Sequence, residues 1–201
     1  VRVPDEGYWP AVRALCDEKQ VLLILDEVQT GLGRCGTLFA HESYGMTPDI
    51  MTLAKGLANG VPIGAMGCRE QYACGFAPGA HACTFGGNPL STAAAVATLE
   101  TLLEPGFIAR AAQVGAYFAA KLRDIAAKHP QVADVRGKGL MIGVEFKTPV
   151  APLVEKMIAG GIICGPAGPN VLRFIPPLIV TAAEVDRATA VLSVALGELG
   201  W

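Results

Sequence analysis

Three observations predict an α/β protein that ends in a smaller α+β domain. A segment of helical period, Gly7 to Lys19, runs directly into the aliphatic stretch Val21-Leu22-Leu23-Ile24-Leu25. Two more short apolar segments, 49–54 and 63–68, follow with only a glycine-rich loop at 56–62 between them. After Pro130 the texture changes to shorter elements. Helix followed by short aliphatic strand is the rhythm of a layered α/β sheet, whereas closely spaced short elements of both kinds make an α+β end domain.

Each element has its own reason. Trp9, Val12, Leu15 and Cys16 recur at helical spacing, which makes 7–19 a helix. The run 21–25 is too short and too uniformly aliphatic for anything but a buried strand. Segments 49–54 and 63–68 read as further buried strands, neighbours of the first in one sheet. From Leu90 to Leu103 an Ala-, Leu- and Thr-rich stretch runs without a breaker to Glu104-Pro105-Gly106, so it is a helix with a strong stop. A long helix over 107–128 precedes Pro130. Beyond it the pattern predicts strands at 141–146 and 172–175 and helices at 152–159 and 182–199, with Arg136-Gly137-Lys138-Gly139-Leu140 as a tight turn. No flexible linker separates the halves. The division is therefore placed at the start of the long connecting helix (107–129), giving domains 1–106 and 107–201.

Composition narrows the function. With 52% hydrophobic and 17% charged residues the chain has ample material for a core, and 16 basic against 18 acidic residues leave a net charge of −2. That balance gives no electrostatic reason to bind nucleic acid or an anionic membrane. No apolar stretch approaches the ~20 residues that span a bilayer. The six cysteines form no C-x-x-C pair and share no spacing with histidine, so reduced thiols in a cytoplasmic or organelle-matrix compartment are expected rather than a zinc site or a disulfide framework. The chain begins at Val1 and reads as a piece of something longer, any targeting segment having been removed.

The chemistry concentrates around the acidic pair Asp26-Glu27, which closes the first strand. Aliphatics followed by Asp-Glu also describe the magnesium-holding strand of a nucleotide hydrolase, but no G-x-x-x-x-G-K-[ST] phosphate loop occurs in the chain. Gly31-Leu32-Gly33-Arg34-Cys35-Gly36 fits G-x-G-x-x-G by letter; a dinucleotide site needs its first glycine at the strand end, and here several residues intervene, so a mobile substrate-side loop is the better reading. The third reading is pyridoxal phosphate chemistry. That cofactor's ring is an electron sink only while its nitrogen stays protonated, which a buried carboxylate opposite the nitrogen secures. Asp26 at the carboxyl end of a central strand suits that role, and Gln29 is placed to donate to the ring's phenolic oxygen. Lys55, apolar on one side and followed by Gly56, is the candidate for the imine and for the base that moves the substrate proton.

At D-E-V-Q-T-G (26–31), A-K-G (54–56) and T-F-G-G-N-P (84–89) the sequence resembles the class III aminotransferases, fold-type I pyridoxal phosphate enzymes that mostly act on ω-amines. The run Gly168 to Leu178, G-P-N-V-L-R-F-I-P-P-L, is similar to the branch of that family acting on N-acetylornithine. The resemblance spans the whole chain. It implies a large-domain portion built on a mostly parallel sheet with helices on both faces, followed by the small domain. It makes Asp26 the partner of the ring nitrogen, Gln29 a neighbour of the ring oxygen and Lys55 the Schiff-base lysine. Thr84 becomes a phosphate ligand reaching the cofactor of the other subunit of a homodimer, and Arg173 the clamp on the amino acid's α-carboxylate. The implied reaction passes the ω-amino group to 2-oxoglutarate. The family's main phosphate loop, the aromatic that stacks on the ring and a second substrate arginine belong to the half preceding Val1, so the fragment alone is expected to be inactive.

Blander readings stand beside these. Asp26 alone is also a capping carboxylate at a strand-to-loop turn, and Glu27 a structural salt-bridge partner. Lys55 alone is a surface lysine, Arg173 an ion-pair partner. Thr84 to Pro89 is a turn into the helix at 90, with Asn88 as cap and Pro89 as first residue. The rival functions are transamination of ornithine, succinylornithine, 4-aminobutyrate or an amino-adipate derivative, a non-catalytic truncated or split subunit, and a nucleotide hydrolase.

Overall fold

The computed structural model describes residues 1–201, which divide into two compact units, Pro4–Ile108 and Ala109–Trp201 with Val1–Val3. In the first unit α1 (Tyr8–Lys19) leads into a three-stranded sheet of β1 (Ile24–Asp26), β2 (Ile50–Leu53) and β3 (Ala65–Cys68), in the order β1-β2-β3. β1 and β2 are parallel, with Asp26 opposite Thr52, whereas β2 and β3 are antiparallel. Between β2 and β3 there is only a short 3-10 turn and a glycine-rich loop, too little chain for the crossover that a parallel partner requires. β1 is thus an edge strand here rather than the central one expected.

The strand over 21–25 is half of what its composition predicts. Leu23 and Leu25 are buried and pack with Met46 against Trp9, Val12 and Cys16 of α1. Val21, Leu22 and Ile24 are exposed, Ile24 by 58%. A uniformly aliphatic strand needs cover on both faces, and within this chain only one face receives it.

Two buried carboxylates tie the unit together. Asp49, 3% exposed, accepts from the Leu23 amide at 2.8 Å and from Arg13 of α1 at 2.7 Å. Burial by itself would raise the Asp49 pKa, but the Leu23 N–H and the Arg13 guanidinium outweigh it and hold the carboxyl below its ordinary value of 3.8. Glu27 accepts from the Thr30 hydroxyl, the Ala40 and His41 amides and His41 Nδ1, at 2.9 to 3.1 Å. The first unit closes with α2 (Pro89–Leu102), where Asn88 accepts from the Ser91 amide and Pro89 opens the helix, as the cap reading of 84–89 anticipates.

The second unit carries the antiparallel sheet β4 (Val132–Lys138), β5 (Met141–Phe146), β6 (Gly165–Pro166) and β7 (Val171–Phe174), in the order β4-β5-β7-β6. Its helices are most of α3 (Phe107–Ala126), α4 (Ala151–Ala159) and α5 (Ala182–Leu199). Phe118, Leu122, Ile142, Phe146, Leu153, Met157, Leu172 and Leu196 fill one core between sheet and helices. The segment 136–140 is not a turn throughout. Arg136 to Lys138 continue β4, and Lys138 pairs with Met141, so only Gly139 and Leu140 turn the hairpin. Gly139 supplies the positive φ (+54°) that such a tight connection requires. Gly115 of α3 sits directly on that turn, where a Cβ would fall 2.6 Å from the Gly139 carbonyl carbon. No helix in the chain is long and apolar enough to cross a membrane.

Candidate active site

The parallel pair β1 and β2 brings the two central candidates to one edge of the sheet. Asp26 is the last residue of β1, and Lys55 opens the 3-10 turn Lys55–Ala58 immediately beyond β2. In open α/β sheets the carboxyl ends of parallel strands are where ligands bind. Lys55 is exposed and holds a left-handed backbone (φ +48°), a conformation that costs a non-glycine residue energy and recurs at functional positions. Leu57 and Ala58 of the same turn are buried and anchor it from below.

Asp26 is exposed in this chain, against the expectation of a buried carboxylate, because it shares its face of β1 with the uncovered Ile24. Its Oδ1 accepts from the Val28 amide at 2.9 Å and from Thr52 Oγ1 at 3.4 Å, and its Oδ2 has no hydrogen bond within the chain. The buried member of the acidic pair is Glu27, whose four hydrogen bonds make it a brace for the loop rather than a chemical group. Gln29 is exposed on the turn that follows β1. The loop beyond it is tucked in rather than free: Gly31, Leu32 and Gly33 are buried, and the Gly31 amide donates to the Glu27 carbonyl at 3.0 Å. No α-helix follows those glycines, so the dinucleotide pattern has no helix N-terminus to work with.

Thr84 is exposed on the turn leading into α2. Arg173 lies in the second unit on β7, opposite Gly143 of β5, where its Nε is buried without a hydrogen-bond partner. It lines a cavity of about 690 Å³ together with Phe118, Ile162, Cys164, Glu184 and Arg187. Burial pushes the Cys164 thiol up to about 11, so it remains protonated at neutral pH. An orphaned guanidinium nitrogen in a cavity is a donor awaiting an acceptor, and a carboxylate is the acceptor that fits it.

The sequence matches the aminotransferase class-III family over residues 1–196. The chain belongs to that family. Among known class-III aminotransferases it is 50% identical over 204 residues to the acetylornithine aminotransferase of Thermosynechococcus vestitus, covering 99% of this chain and 49% of that protein. It is 47% identical to the acetylornithine aminotransferase of Bacillus subtilis, over 92% of this chain and 48% of that one. In structure it is similar to the ornithine aminotransferase of Toxoplasma gondii ME49, with a TM-score of 0.94 at 39% identity over 100% of this chain and 49% of the other. An S-selective transaminase from Arthrobacter follows at a TM-score of 0.92 and 30% identity, over 98% of this chain and 48% of that one. The class-III aminotransferase chain thus spans about half the length of the relatives it matches. The α/β fold with its α+β end domain is that of the fold-type I enzymes, and pyridoxal phosphate is the family's cofactor.

Sequence reasoning missed Thr52 and the cavity around Cys164. Thr52 carried no signal, since its contact with Asp26 exists only through the β1–β2 register. The cavity residues are scattered over α3, α5 and the 161–177 segment, which no linear motif unites.

Proposed function

We propose that the protein to which this chain belongs transfers the ω-amino group of N-acetylornithine to 2-oxoglutarate, with pyridoxal phosphate carried on Lys55. The carrying observation is that adjacent parallel strands deliver the Asp26 carboxylate and the Lys55 turn to the same carboxyl edge. The choice of amino donor rests on the 43–50% identity to acetylornithine aminotransferases. When bound, the cofactor withdraws electrons from the carbon bearing the substrate's amine, so that its C–H bond ionises.

The residues divide the remaining work. The unbonded Oδ2 of Asp26 would be the partner of the ring nitrogen and would keep it protonated. Gln29 would donate to the ring oxygen, and Thr84 Oγ1 to the phosphate held by the partner subunit of a homodimer. Lys55 Nζ would hold the cofactor and, as a free amine, would serve as the base that takes the proton from the substrate carbon. The Arg173 guanidinium receives the α-carboxylate, which gives its orphaned Nε an acceptor. Residues 1–106 serve as the large-domain portion and 107–201 as the small domain.

The test is amino transfer by the full-length protein with N-acetylornithine, ornithine and 4-aminobutyrate in turn, each with 2-oxoglutarate. Preference for N-acetylornithine by kcat/KM supports the proposal; a preference for ornithine favours the second reading, which the similarity to ornithine aminotransferase structures supports.

A further inference from the structure

We propose that Thr52 is a positioning residue for Asp26, fixing which carboxylate oxygen meets the cofactor's ring nitrogen; this rests on the reading of Asp26 as that nitrogen's partner. The two oxygens of Asp26 are not equivalent. Oδ1 is taken twice, by the Val28 amide at 2.9 Å and by Thr52 Oγ1 at 3.4 Å, and Oδ2 is left open. The Val28 bond is local and secures one oxygen of the turn. The Thr52 contact comes from the next strand, where Thr52 stands in register with Asp26 while its own carbonyl accepts the Glu27 amide at 3.0 Å.

A carboxylate held at one oxygen from two directions cannot rotate about its terminal bond without breaking both contacts, so the second oxygen is presented in one orientation. Thr52 is well chosen for this. Its β-branch restricts χ1 on a strand, which aims the hydroxyl. It also sits on β2, the strand that leads three residues later to Lys55, so the carboxylate and the lysine are referenced to one backbone.

The experiment compares Thr52→Val, Thr52→Ser and Asp26→Asn in the full-length holoenzyme. It reads cofactor retention on dialysis and the pH midpoint of the visible absorbance of the lysine-bound cofactor, neither of which is an activity. Val preserves shape and removes the hydroxyl. Thr52→Val is expected to weaken retention by roughly threefold to tenfold, in keeping with loss of one long hydrogen bond of ordinary strength. It should move the absorbance midpoint in the same direction as Asp26→Asn but by less, and Thr52→Ser should restore both. Thr52→Val matching wild type in both readouts, with Asp26→Asn impaired, overturns the role of Thr52 and leaves that of Asp26 standing. Asp26→Asn matching wild type overturns the reading of Asp26 itself. A Thr52→Val defect that Ser fails to rescue marks packing rather than the hydroxyl and also overturns the proposal.

Discussion

Replacing Gly115 with Ala reverses the sign that helix propensity predicts. In the interior of an exposed helix the change is worth about 1 kcal/mol in favour of Ala. At Gly115 the added Cβ would meet the backbone of the β4–β5 turn, 2.6 Å from the carbonyl carbon and 3.1 Å from the Cα of Gly139. The Gly139 carbonyl oxygen lies closer still and ordinary contact begins near 3.4 Å, so helix and turn must part by about 1 Å. Neither side yields easily. Gly139 is held at positive φ in a two-residue connection between paired strands, and Phe118 and Leu122 of α3 are locked in the core one and two turns further on. Overpacking of this kind costs about 3 kcal/mol at the upper end of its usual range. Against the propensity gain this leaves a net loss of about 2 kcal/mol. Urea denaturation of the full-length protein measures it. Gly197→Ala in α5 is the control, because nothing lies within 4 Å of its added Cβ; that variant should gain up to about 1 kcal/mol. A Gly115→Ala protein as stable as wild type would refute the seating of α3 on the hairpin turn.

Other expectations follow from the same geometry. Asp49→Asn leaves the largely buried Arg13 with only the exposed Asp17 as its charge partner and should cost up to about 3 kcal/mol in urea titrations. Because the folded Asp49 pKa lies below 3.8, its stabilisation is complete above that pH and is lost as the pH falls through the lower folded value, so the stability difference between variant and wild type should narrow only in strong acid. Cys164, raised to about 11, should resist iodoacetamide at pH 8 while the exposed Cys74 and Cys83 react, as peptide mapping will show. Lys55→Ala in the full-length protein should abolish the visible band of bound cofactor and amino transfer together, whereas the isolated 201-residue chain, with Asp26, Gln29 and Lys55 all exposed, should show no transfer above background.

What could be read from the sequence was what neighbouring residues decide. Asn88 and Pro89 announce the start of α2 because a cap and a first-turn proline act within a few residues. Lys55 and Asp26 stood out because each ends a short aliphatic run. The β4 strand stayed hidden, since Asp134, Arg136, Gly137 and Lys138 look like turn chemistry until β5 is there to pair with them. The exposure of Asp26 and Ile24 was equally invisible, because composition reports that a strand wants two covered faces and not whether both are supplied. Arg173 was visible as a residue, but its unpartnered nitrogen appears only once the sheet of the second unit closes around it.

The clasp at the opposite end of β1 and β2 sets the height of everything above it. Asp49 grips the Leu23 amide through its side chain, and the Asp49 and Ile50 amides return the bond to the Leu23 carbonyl, so the two strands start from a common datum. From that origin the count along each strand is fixed, placing Asp26 three residues out and alternately facing from its buried neighbours Leu25 and Glu27. Inserting one residue between Leu23 and Asp26 would exchange the faces, turning the Asp26 carboxylate into the packed layer and the bracing Glu27 out of it. The short strand is in effect a measured arm, whose length is as much a part of the site as the side chain at its tip.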